Sequence, residues 1–75
     1  MMDREVLRAA SHAVRSVMRR QQANHQLRTD GGWAEPDADL LALAVECEDV
    51  MYSRRPEAPD LADRLAAVLG DDWEP

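Results

Sequence analysis

Apolar residues recur at three- and four-residue intervals in three separate stretches of the chain, and each stretch predicts an amphipathic helix. In the first, Val6, Leu7, Ala10, Ala13, Val14, Val17 and Met18 share one face when each residue is turned by about 100°. Asp3 stands ahead of the pattern as an N-cap, and Glu5 suits a first turn, where negative charge meets the positive end of the helix dipole. Beyond Met18 the same face continues as Gln21, Asn24 and His25. Either the helix overhangs its core towards Arg28, or it ends near Ala23. The run Thr29-Asp30-Gly31-Gly32 breaks it in both cases.

The second stretch opens on Pro36, a residue suited to the first helical position, with Asp37 and Asp39 behind it. Leu40, Leu43, Ala44, Cys47, Val50 and Met51 form its central stripe, and Leu41, Val45 and Tyr52 widen the apolar arc past half the circumference. An arc so wide normally touches two neighbours, which makes this helix the expected hub. The pattern stops before Arg54, Arg55 and Pro56. In the third stretch Asp60 is the expected N-cap, Asp63 imitates a capping box, and Leu61, Leu65, Val68 and Leu69 share a side. Gly70 is a suitable stop. A helix of about ten residues cannot stand alone, so it is expected to dock on the second. The predicted fold is all-α: an up-down-up three-helix arrangement over about 3–27, 36–54 and 60–69. It forms one small domain, 1–75, with an acidic tail at 71–75 that need not be fixed to it.

Composition adds a reason to expect a second subunit. The chain has 75 residues, 45% of them hydrophobic, yet Phe is absent and alanine dominates the apolar set. A domain of this size rarely draws more than about 3–5 kcal/mol from its core, so completion by self-association is expected. One cysteine excludes an internal disulfide, and Cys47 on the apolar stripe reads as a small buried hydrophobe in a reducing cytosol. All nine basic residues are arginine, which with abundant Ala and Asp points to a GC-rich bacterium or its phage. The longest apolar run, Leu40 to Val45, is far short of the roughly 20 residues of a membrane span. No signal-peptide pattern opens the chain. A cytoplasmic protein with no membrane contact is expected.

Charge is distributed unevenly around a net value of −6. Arginine dominates residues 1–28, and acids dominate 29–75. On the first helix Arg4, Arg8, Arg15 and Arg19 form a stripe opposite the apolar face. Such asymmetry fits two surfaces that attract each other, a basic arm for nucleic acid, or an acidic mimic of nucleic acid. The first is preferred, because Asp39, Glu46 and Asp49 offer the stripe acidic partners and a net-negative protein starts at a disadvantage on a phosphate backbone. Glu48 falls inside the apolar arc of the second helix. A carboxylate there should find a basic partner on the first helix, with Arg20, His25 and Arg28 as candidates, or mark an exposed seam.

Little in the sequence points to chemistry. His12, His25 and Cys47 show no metal-ligand spacing, so no metal or cofactor is expected. Ser11 and His12 are helical neighbours that do not face each other. Arg20 and His25 have an Arg-x4-His spacing that resembles the catalytic pair of the all-helical HEPN ribonucleases. That resemblance covers two residues, such domains are larger, and the acidic remainder would repel RNA. A helix-turn-helix built from the second and third helices would present Asp60 and Asp63 where donors to bases and phosphates belong. No enzyme is expected. Trp33 and Trp73 lie outside the helical patterns, and each either plugs an end of the thin core or anchors a partner. The sequence therefore predicts a non-enzymatic helical protein–protein interaction module, a homo-oligomer whose partner-binding candidates are Arg4, Arg8, Arg15, Arg19, Trp33 and Trp73. The alternatives are a nucleic-acid accessory factor acting through the Arg stripe, and an acidic DNA mimic acting through Asp39, Glu46, Asp49 and the tail.

Overall fold

The computed structural model describes residues 2–28, 37–70 and 73. Among them the chain forms three helices and no strand: α1 (Arg4–Arg28), α2 (Ala38–Met51) and α3 (Leu61–Leu69). Asp3 caps α1 as expected, its Oδ1 accepting the Val6 N–H at 2.9 Å. The helix runs past Ala23, and Gln21, Ala23, Asn24 and His25 are exposed on it. It therefore overhangs: the 14 residues of α2 cover about 21 Å of the roughly 37 Å that the 25 residues of α1 span.

The second helix starts at Ala38, two residues later than Pro36 suggested, because Asp37 is its N-cap. The Asp37 carboxylate accepts the N–H groups of Asp39 and Leu40 at 2.9 and 3.2 Å. Pro36 lies outside the described residues. At the other end α2 stops at Met51, short of the expected 54, in a Schellman turn. Ser53 N–H donates to the Val50 carbonyl, Arg54 N–H donates to the Asp49 carbonyl, and Ser53 takes a φ of 60°. The start of α3 also differs from expectation. Asp60 stands at its N-cap position without a capping hydrogen bond, and its carboxylate turns to Arg64 instead. Gly70 closes α3 with a φ of 82°.

Met2 and Leu7 lie beside Val50 and Met51, and Ser11 and Arg15 meet Glu48, so α1 and α2 are antiparallel. α3 returns alongside α1, from Glu57 beside Met2 to Leu69 beside Ala13 and Val17. The path is up-down-up. The core consists of Met2, Leu7, Ala10, Val14 and Met18 with Leu40, Leu43, Ala44, Cys47, Leu61 and Leu65. One expectation is corrected: α3 lies against α1 more closely than against α2, so α1 is the hub. On that flank of α1 the small Ala13 lies beside Leu69, which lets a neighbouring helix approach. Towards α2 a groove of about 440 Å³ remains, between Leu40, Leu43 and Val68. Trp73 is half-buried and packs against the core beside Ala13, Val17 and Leu69. Trp33 and the other residues of 71–75 lie outside the described residues.

Candidate interaction surface

Two carboxylates of α2, two residues apart, divide the molecule into a covered face and an open one. Successive helical residues are turned by about 100°, so Glu46 and Glu48 point to nearly opposite sides. Glu46 faces α3, where Arg64 grips it with two hydrogen bonds of 2.8 and 2.6 Å. This bidentate pair spans the α2–α3 groove and holds the Glu46 carboxyl below its ordinary pKa. Glu48 faces away from α3. Its Oε1 accepts the Ser11 hydroxyl at 2.8 Å and the Arg15 Nε–H at 3.0 Å, and these bonds lower its pKa, the Ser11 bond most.

The expectation that Glu48 pairs with a basic residue of the first helix is met, but by Arg15 rather than Arg20 or His25. The Arg28 side chain lies outside the described residues. The antiparallel register decides the partner, because Leu7 lies beside Val50 and Met51, which sets residue 48 level with residues 11 to 15. Ser11 was not foreseen. It is the one buried polar side chain among the described residues, and it occupies a place in the apolar stripe four residues after Leu7 and three before Val14. A hydroxyl in such a place requires a partner, and that was the available signal.

The Arg15–Glu48 bridge joins two stripes on the open face. On α2, Leu41, Val45 and Tyr52 stand on the same side as Glu48 and are 37%, 37% and 55% exposed. They are the flank that widened the apolar arc in sequence, and α3 does not cover it. On α1, Arg4, Arg8 and Arg19 share a side with Arg15; all three are exposed and hold no ion pair among the described residues. Two of the three acids expected to partner this stripe are engaged elsewhere, and the third, Asp39, is exposed and holds no ion pair among the described residues. Glu46 pairs with Arg64, and Asp49 takes Arg55 at 2.9 Å and Arg54 at 3.5 Å. Arg54 also lies over the Tyr52 ring, 5.3 Å from its centroid.

The remaining chemical candidates do not converge. His12 and His25 are exposed on α1, and no group of three metal-ligating side chains occurs among the described residues. Arg20 lines a cleft with Ser16 and Trp73, and His25, five residues on, is turned about 140° from it. Cys47 is fully buried, and desolvation pushes its thiol up to about 11. Among the described residues no helix is long and apolar enough to cross a membrane. No protein-family model, curated protein or solved structure matches the chain.

Proposed function

We propose that the protein is a non-enzymatic helical interaction module that self-associates through the open face of the α1–α2 pair. The observation that carries this reading is the exposed row Leu41, Val45 and Tyr52 on a helix whose other side is the core. Three large apolar side chains on one flank of a 75-residue domain are costly to leave in water. A second copy packing on them would add the apolar burial that so small a core lacks. The melting temperature tests this: for a self-associating protein it rises with concentration, whereas a monomer melts at one temperature throughout.

The exposed Arg4, Arg8 and Arg19 favour a second reading, binding of nucleic acid along α1. Guanidinium groups without carboxylate partners among the described residues are available to phosphates. A mobility shift at low salt that Arg8→Glu with Arg19→Glu abolishes would favour this reading over the first. The acidic-mimic reading has less support, because Glu46 and Asp49 are held by arginines of the same chain.

A further inference from the structure

Where α1 begins and α2 ends, Met2, Leu7, Val50 and Met51 floor an open cleft of about 800 Å³. Small-molecule sites typically measure about 300–1,000 Å³ and combine an apolar floor with a few polar groups. Here the polar groups are arginines: Arg4, Arg54 and Arg55 all line the cleft. Arg54 and Arg55 share a single carboxylate, Asp49, and Arg4 holds no ion pair among the described residues. Glu57 also lines the cleft, but its carboxylate accepts the Met2 backbone N–H at 2.9 Å. The lining thus carries three arginines and one carboxylate, with Asp49 pairing two of the arginines from outside it, on a chain of net charge −6. It is also built. The Schellman turn fixes the backbone of Ser53 and Arg54, and the Tyr52 ring supports the Arg54 guanidinium.

We infer that this cleft binds a small organic anion with a short apolar tail, a carboxylate or a phosphate monoester. The anionic head sits among Arg4, Arg54 and Arg55, whose planar donors match either group. The tail lies on Met2, Leu7, Val50 and Met51. Self-association is not required, although Tyr52 borders both surfaces.

The full-length protein, labelled with ¹⁵N, is titrated with octanoate, octyl phosphate and octylammonium while amide shifts are followed. Saturable shifts centred on Arg4, Leu7 and Tyr52 are expected with an anion and not with octylammonium. The preferred anion then identifies the head group. Each methylene removed from the tail weakens binding about fourfold. Arg4→Gln and Arg54→Gln, at exposed positions, weaken it about tenfold or more without lowering the melting temperature. Absence of saturation, equal binding of octylammonium, or affinity unchanged in both Arg variants would overturn the assignment. If a variant melts early, the anion-against-cation comparison on the wild type still decides.

Discussion

Replacing Glu48 with alanine removes the one group that bonds both Ser11 and Arg15 across the α1–α2 seam. The two bonds differ in worth. Arg15 and Glu48 keep side-chain exposures of 32% and 30%, so their ion pair is close to a surface pair, about 0.2–1 kcal/mol. Ser11 is 4% exposed and donates to a charged acceptor, a bond of about 1.5–3 kcal/mol. Part of that is recovered, because a helical serine can turn its hydroxyl to the carbonyl four residues back. The expected loss is about 2 kcal/mol, or roughly 8–16 °C in melting temperature for a domain of this size. Urea unfolding followed by circular dichroism measures it, with Ser11→Ala and the double variant completing a cycle. The coupling between Ser11 and Glu48 should be about 1 kcal/mol. The sign of the pH dependence also follows. Glu48 has a native pKa below its ordinary value of 4.5, so its contribution is present above pH 4.5 and is lost as pH falls through the native pKa. Glu48→Gln should therefore flatten the stability profile below pH 4.5 and leave the neutral slope unchanged. A Glu48→Ala loss under about 0.5 kcal/mol, the scale of an ordinary surface substitution, or strictly additive single variants would refute the reasoning.

Arg64→Ala, which releases Glu46 and the only side-chain tie described between α2 and α3, should cost about 1–2 kcal/mol and raise the Glu46 pKa; urea unfolding and carboxyl NMR titration check the two parts. Ser53 occupies the left-handed position of a Schellman turn, so Ser53→Gly should stabilise by about 0.5–1 kcal/mol in the same assay, and a loss would show that the Ser53 side chain has a role. Gly70→Ala should destabilise by about 1 kcal/mol through its φ of 82° alone, since a Cβ there meets nothing within 4 Å. Cys47, buried with its thiol pushed up to about 11, should resist thiol reagents at neutral pH in the folded protein and react at once in denaturant.

The helices and half of their ends were legible because they depend on local signals. The Asp3 cap, the Gly70 stop and the three apolar stripes all act within a few residues. Helix-to-helix assignments were not legible, because periodicity shows which face is apolar without showing which neighbour covers it. The wide arc of α2 suggested two neighbours, whereas α3 lies closer to α1, and Leu41, Val45 and Tyr52 stay open. Glu48 illustrates the same limit. Its place among apolar residues favoured a cation over an exposed seam, but the choice of Arg15 depends on the antiparallel register. Arg15 itself projects with the outward stripe, and a long flexible side chain brought it back to the seam. The acids Glu46 and Asp49 went to Arg64, Arg54 and Arg55, arginines outside α1 on which the stripe argument did not touch.

Sedimentation velocity on the wild type and on Leu41→Glu with Val45→Glu tests the open face most directly. Both side chains are more than one-third exposed, so the double variant should fold with unchanged helicity. The wild type should sediment as a dimer or larger species at micromolar concentration, and the double variant as a monomer. A wild type that remains monomeric, or a double variant that associates as before, would contradict the account.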